Sequence, residues 1–281
     1  MREIDAGEVT RAVAKLFYEA NFYLPEDVLK AIRVAKNNEE SEVAREVLDI
    51  ILKNSAIAAK EKIPLCQDCG TAVVFLEVGQ EVHITGGDLY RAVNQGVTQA
   101  YAEGYLRKSM AKQPFSARIN TGDNTPAVIY TDIVPGDKIK IIAVPKGGGA
   151  ENMSRLGMLM PADGRQGIFD FVVKAVDEAG SNPCPPVVVG VGIGGTAEKT
   201  LLLAKKALLR PIGEHNPDAE VAALEKELLE RINGLGIGPM GYGGRTTALA
   251  VNIEAFPAHI ASMPVAVNLN CHSTRHKEMV L

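Results

Sequence analysis

No apolar run in this sequence approaches the roughly eighteen residues that a bilayer-spanning helix needs. The opening residues, Met1-Arg2-Glu3-Ile4-Asp5, are charged and lead into a helical pattern, so they lack the apolar core of a secretory leader. Basic charge is not in excess: 30 Lys and Arg stand against 34 Asp and Glu, for a net charge of -4. The cationic footprint of a nucleic-acid surface is therefore missing. Internal repeats, low-complexity tracts and linkers rich in Pro, Gly or Ser are missing too. Together these absences predict a cytoplasmic protein with no membrane or nucleic-acid partner. Thiols stay reduced in that compartment, so the 4 cysteines read as ligands or catalysts rather than as disulfides.

What is present is ordinary for a globular chain. Hydrophobic residues make up 46% and charged residues 23% of the 281, enough to bury a sizeable core. Helical spacing fills residues 6–61, with Val43, Val47, Ile50 and Ile51 expected on one buried face and Pro25 restarting the chain at a first turn. β-branched and aromatic residues predict a strand over Thr71–Val78, followed by a helix over about 88–108. Strands near 127–134 and 138–144 flank the turn signal Val134-Pro135-Gly136-Asp137-Lys138, which predicts a hairpin-like return. Beyond the glycine loop at 147–149 come a helix near 166–179, an apolar strand at 187–191, helices near 197–209 and 217–233, and strands near 247–254 and 263–269. This order predicts an α+β fold of mixed β-sheets covered by helices. The expected organisation is one compact unit over 1–281, with a helical N-terminal part over 1–61.

The cysteines fall at three junctions, where loops present ligands on a rigid scaffold. Cys66-Gln67-Asp68-Cys69-Gly70 lies between the helical segment and a strand. Cys184 sits in Asn182-Pro183-Cys184-Pro185-Pro186, whose prolines fix φ around it. Cys271 follows an apolar strand and precedes His272. Buried small hydrophobes, a Cys66–Cys69 redox pair, a zinc site using Cys66 and Cys69 with Cys271, His272 or His276, and an iron–sulfur cluster all remain open on this pattern. Three thiolates on a cubane would leave one iron open to act as a Lewis acid. Cysteine count alone does not choose between three and four ligands.

The segment Pro64–Gly70 resembles the first cluster-binding segment of class I fumarate hydratases and L-tartrate dehydratases. Asn120-Thr121-Gly122-Asp123-Asn124-Thr125-Pro126-Ala127, Gly147-Gly148-Gly149-Ala150-Glu151-Asn152-Met153-Ser154, Gly192-Ile193-Gly194-Gly195 and the closing Asn270-Cys271-His272 are similar to theirs and stand in the same order. The resemblance runs from about residue 10 to the end. It implies a 4Fe–4S cluster on Cys66, Cys184 and Cys271, and a hydro-lyase that reversibly dehydrates L-malate to fumarate, with L-tartrate as the alternative substrate. It also implies that this chain is the larger, alpha subunit. A smaller beta subunit would then supply the proton-abstracting base and further basic residues, within a higher hetero-oligomer. Cys69 departs from the pattern, which commonly has threonine there.

Within that resemblance the small dicarboxylate is expected to meet Gln67 and Asp68. Asp68 would hold the leaving hydroxyl or shuttle its proton, against the alternative of a turn aspartate bonding its own backbone. Arg107 would supply a bidentate fork for carboxylate, against the alternative of a helix C-terminal cation. Gly148 and Gly149 would bring backbone N–H groups close to an anion, and His259 would stand close to substrate as a catalytic candidate. His272 and His276 have helical spacing but no further support as a zinc pair. Gly190-Val191-Gly192-Ile193-Gly194-Gly195 fits dinucleotide-site spacing, but no acidic strand end follows at the expected distance. That loop is expected to be a helix N-terminus facing an anion, the cluster or the substrate. No Gly-Lys-Ser/Thr follows any glycine loop, so nucleotide hydrolysis is not expected.

Overall fold

A computed structural model describes residues 1–281. The chain opens with β1 (Arg2–Asp5), α1 (Ala6–Phe22), α2 (Glu26–Asn38), α3 (Glu42–Glu61), β2 (Thr71–Gly79), β3 (Val82–Thr85) and α4 (Leu89–Glu103). Next come β4 (Val128–Val134), β5 (Ile139–Lys146), the single turn α5 (Gly148–Glu151), β6 (Arg155–Leu159) and α6 (Gly164–Ala179). It closes with β7 (Val187–Gly194), α7 (Ala197–Ala207), α8 (Ala219–Asn233), β8 (Ala248–Phe256), β9 (Met263–Asn270) and β10 (Lys277–Val280). This is an α+β fold of mixed sheets with a helical N-terminal segment. No helix is long and apolar enough to cross a membrane.

The residues gather into two compact units that interleave along the chain. One holds Met1–Pro25, Asn54–Gly148 and Arg275–Leu281; the other holds Glu26–Lys53 and Gly149–Thr274.

The first unit is built on a four-stranded sheet in the order β10-β5-β2-β4, beside a parallel β1-β3 ribbon. Alternate residues of β2 and β5, Ala72, Val74 and Leu76 with Ile139, Ile141 and Ala143, face one way. They share a core with Val9, Val13, Leu16 and Phe17 of α1 and Val93, Val97 and Tyr101 of α4. Asp5 caps α1 by accepting from the Gly7 N–H, as a residue before a first turn can. The helices α1 and α4 approach closely at Gly96, where an added Cβ would lie 2.6 Å from the Thr10 carbonyl oxygen; any side chain there would force them apart.

Turn chemistry predicted β4 and β5 as neighbours, but β2 lies between them, parallel to β4 and antiparallel to β5. The 134–138 link passes over the end of β2, where Gln80 N–H donates to the Val134 carbonyl and Glu81 N–H to the Gly136 carbonyl. A local turn signal cannot reveal a third strand inserted from elsewhere in the chain. Four short strands, β1, β3, β6 and β10, also differ from the sequence reading. The face of α3 differs too. Ala44, Leu48, Ile51, Ser55 and Ala58 are buried, whereas Val43 and Ile50 are more than half exposed, because the buried stripe is set one residue away from the valines.

The second unit holds the sheet β6-β9-β7-β8. Val187, Val189 and Val191 of β7 pack with Val265, Val267 and Leu269 of β9 against Phe169, Val172 and Val176 of α6 and Leu224, Leu228 and Ile232 of α8. On the opposite face α7 lies directly on β7. Added Cβ atoms at Gly190 and Gly192 would come within 2.1 Å of the Ala204 and Thr200 carbonyl oxygens of α7. β7 runs parallel to β8 and antiparallel to β9, with Val188 opposite Asn270.

Candidate functional site

The Cys66–Gly70 loop follows α3 and enters β2. Its backbone is fixed by side chains on nearly every side. Asn54 Nδ2 donates to the Leu65 carbonyl at 2.9 Å, and the Cys69 thiol to the Cys66 carbonyl at 3.7 Å. Arg275 Nη2 donates to the Asp68 carbonyl at 2.7 Å. The Tyr101 hydroxyl reaches both the Cys69 carbonyl at 2.6 Å and the Gly70 carbonyl at 3.0 Å. Asn124 Nδ2 also donates to the Gly70 carbonyl, at 3.2 Å. Tyr101 is fully buried and Arg275 nearly so. Buried polar groups hold a conformation strongly because losing one leaves its partner unsatisfied.

This loop gathers several of the residues expected from sequence. The Asp68 carboxyl accepts from the Gly70 N–H through Oδ1 at 2.9 Å and from the Gly148 N–H through Oδ2 at 2.7 Å. The turn role weighed for Asp68 is thus present, and the second oxygen joins the cysteine loop to the glycine loop. Gly148 directs its N–H at Asp68. Gln67 is exposed, and its Oε1 accepts from the Cys66 thiol at 3.4 Å. The Asp68 N–H points at Cys66 Sγ, 3.3 Å away.

Arg107 is not a helix-terminal cation. Helix α4 ends at Glu103 with Gly104 as its cap, and Tyr105 turns the chain with φ of 51°. Arg107 follows in a loop, its side chain exposed. Its backbone N–H donates to Cys69 Sγ at 3.2 Å. Two residues on, the Ser109 N–H donates to Asn124 Oδ1 at 2.7 Å. The Asn120–Ala127 motif therefore acts through Asn124, fully buried and with φ of 64°, which fastens the Arg107 segment to the cysteine loop. Cys69 is 1% exposed and belongs to the core. Burial pushes its thiol up, outweighing the Arg107 N–H that acts in the other direction.

In the second unit the fold brings Cys184 and Cys271 side by side. Cys184 precedes β7 and Cys271 follows β9, at the same end of the sheet. The His272 N–H donates to the Cys184 carbonyl at 3.2 Å, and its Nδ1 lies 3.1 Å from the same oxygen. Cys184 adopts φ of 55°, a left-handed conformation rare for residues with a side chain. Gly149 lies against this loop: a Cβ there would sit 3.2 Å from the Asn182 carbonyl oxygen. Glu151 and Ser154 from the same glycine motif are bonded to Asn268, and Glu151 also to Lys205. Cys66, Cys184 and Cys271 are all partly exposed, and none of the four cysteines is in a disulfide.

Two expected participants lie elsewhere. His259 is exposed in the β8–β9 connection, where its Nδ1 accepts from the Ala261 N–H. That connection is at the opposite end of the sheet from Cys184 and Cys271, and the eight residues of β7 span roughly 23 Å between the ends. The loop after β7 is at that far end too. Gly190 and Gly192 within β7 serve the close seat of α7, while Gly194 and Gly195 lie against the Phe256 backbone and the Lys199 side chain, so the expected anion-facing loop is not directed at Cys184 or Cys271. His272 and His276 lie outside any helix, which removes their i, i+4 relation. No group of three or more His, Cys, Asp or Glu side chains is arranged around a single point.

Sequence reasoning missed Tyr101, Asn124 as an individual clamp, and Arg275. Tyr101 sits at a core position of an amphipathic helix, and nothing local marks its hydroxyl. Arg275, four residues beyond Cys271, offered a signal in its closeness to a cysteine motif.

Residues 10–280 match the fumarate hydratase (Fumerase) family. The chain belongs to that family. A Methanocaldococcus jannaschii protein provisionally named L(+)-tartrate dehydratase subunit alpha is 46% identical over 274 residues, covering 95% of each chain. L(+)-tartrate dehydratase subunit alpha of Escherichia coli strain UTI89 is 35% identical, covering 96% of this chain and 89% of its own length. The strain K12 protein of the same name is 33% identical, covering 98% and 91%. This member of the fumarate hydratase family is thus a hydro-lyase chain of the alpha-subunit type, and the clamped cysteine loop lies inside the matched region.

Proposed function

We propose that this chain is the alpha subunit of a two-subunit hydro-lyase that reversibly dehydrates L-malate to fumarate, with a 4Fe–4S cluster held by Cys66, Cys184 and Cys271. The donor set suits such a cluster: three partly exposed thiols lie on fixed loops, while Cys69 is turned into the core. When bound, the cluster supplies an open iron as a Lewis acid for the leaving hydroxyl.

The observation that carries the reading is the gathering of Gln67, Asp68, Gly148 and Arg107 around one clamped loop. Arg107 holds a substrate carboxylate with its planar fork. The two backbone donors on Asp68 fix its carboxyl plane and leave lone pairs that would accept a hydrogen bond from the substrate hydroxyl and orient it, the hydroxyl keeping its proton as it leaves. Gln67, exposed beside Cys66, offers an amide to the other end of the substrate. Gly148 acts on Asp68, and Gly149 lets the chain pass close to the Cys184 loop. His259 has no part in this reading because of its place at the far end of the sheet.

The partner reading is supported by relatives named as alpha subunits. A smaller beta subunit would provide the base that removes the carbon-bound proton. L-tartrate is the second reading for the substrate, favoured by the names of those relatives. Anaerobic reconstitution with the beta subunit, followed by turnover assays on L-malate, fumarate and L-tartrate, tests both. Preferred turnover of malate and fumarate supports the first reading, preferred turnover of tartrate the second, and no turnover with an intact cluster overturns both.

A further inference from the structure

We propose that Cys69 is a positioning residue that ties the backbone of Arg107 to the backbone of Cys66, so that the carboxylate fork and the first cluster ligand keep a fixed relation. The inference rests on the reading of Arg107 as a substrate residue. Both hydrogen-bonding functions of the thiol are engaged. Its S–H donates to the Cys66 carbonyl at 3.7 Å, and its sulfur accepts the Arg107 N–H at 3.2 Å. The side chain is 1% exposed and packs in the core with residues of α1, α4 and β2. A thiol so placed faces the core and not a ligand.

Its neighbours make the arrangement rigid. The Cys69 carbonyl is held by the Tyr101 hydroxyl at 2.6 Å. The Ser109 N–H and the Gly70 carbonyl meet on the one Asn124 side chain. Segment 107–109 is thus fastened to the 66–70 loop at two points, Cys69 and Asn124. Arg107 lies outside any helix, so without the Cys69 bond only one fastening would remain. A hydroxyl has the same pair of functions, one donor and acceptor lone pairs. Threonine adds a methyl that suits the apolar surroundings. Valine matches its shape and removes both functions.

The test uses the holoenzyme with its beta subunit and the variants Cys69→Val, Cys69→Ala and Cys69→Thr, each with and without Arg107→Lys. Iron and sulfide content, KM and kcat for L-malate, and amide hydrogen exchange at Arg107 are measured. Cys69→Val should keep its iron, raise KM about five- to tenfold with little change in kcat, and speed exchange at Arg107. Cys69→Thr should recover both KM and protection. Arg107→Lys should add less to KM in the valine background than in the parent, because the two residues act as a unit. Cys69→Ala gives the same reading if valine fails to fold. Loss of iron in Cys69→Thr would make Cys69 a cluster ligand and overturn the inference. Unchanged KM and exchange in Cys69→Val, with the parent enzyme active, would overturn it alone. A parent with an intact cluster and no turnover would overturn the functional reading on which it rests.

Discussion

Replacing Tyr101 with phenylalanine tests the clamp on the first cysteine loop with a single atom. The ring is fully buried and packs 6.2 Å from the Phe17 ring, and phenylalanine preserves that packing. What is lost is the hydroxyl that serves the Cys69 and Gly70 carbonyls. Gly70 keeps its bond from Asn124, whereas the tyrosine hydroxyl is the side-chain donor to Cys69. A net bond is worth about 0.5–1.5 kcal/mol, and an unsatisfied buried carbonyl raises the cost, so the loss should be about 2 kcal/mol. For a chain of this size that lowers the melting midpoint by roughly 4–8 °C. Burial pushes the Tyr101 hydroxyl well above its ordinary value, so the proton stays on and the loss should not vary between about pH 6 and 9. Urea unfolding and thermal melts measure it, with Tyr90→Phe as the control. Tyr90 is partly exposed, and its hydroxyl bonds to Thr131, so that change should stay within about 0.5 kcal/mol. A Tyr101→Phe protein as stable as the control, with unchanged iron retention after reconstitution, would refute the clamp.

Cys66→Ser, Cys184→Ser and Cys271→Ser should each abolish the cluster, since a hydroxyl is a poor ligand for iron; normal iron and sulfide in any one variant removes that residue from the ligand set. Arg107→Lys should raise KM for malate while leaving iron content intact, because lysine keeps the charge and loses the fork; an unchanged KM would count against a substrate role. Glu39 gives a pH-dependent prediction. Burial raises its pKa, but donors from Arg245, Ser41 and Thr246 outweigh it and hold the carboxyl below its ordinary value of 4.5. A depressed folded value contributes stability above that pH and loses it as the pH falls through the folded value. Glu39→Gln should therefore cost about 1–3 kcal/mol at pH 7, and the difference in urea midpoints should shrink as the pH drops below about 4.5; a gap that grows instead would contradict the assignment. On the proposed reading, in which the beta subunit supplies the base, the alpha chain alone should hold its cluster and turn over little until that subunit is added; full activity from this chain alone would place the base within it.

The long elements were legible because their signals are periodic and local. α1, α2 and α3 fill the predicted helical segment, and β2, β7 and β9 come from apolar runs bounded by turns. The short strands β1, β3, β6 and β10 were not, since four or five residues carry too little alternation to stand out. The insertion of β2 between β4 and β5 is a tertiary choice that a turn motif cannot encode. At the site, the cysteine loops and Asp68 were legible as motifs. Their supports were not: Tyr101, Asn124 and Arg275 act through single polar atoms whose partners are distant in sequence. Cys69 illustrates the limit most clearly. Its spacing from Cys66 allows ligation, and only its burial and its bonds to Cys66 and Arg107 separate the two roles.

On the proposed function, this fumarate hydratase family chain carries a cluster on three of its cysteines. Metal and sulfide analysis of anaerobically purified protein tests it most directly. The expected result is a brown protein with iron and acid-labile sulfide in equal amounts, about four of each per chain, and an absorption change when L-malate is added. A colourless protein holding zinc, or an iron–sulfur protein that keeps its cluster when Cys66, Cys184 or Cys271 is replaced by serine, would contradict it.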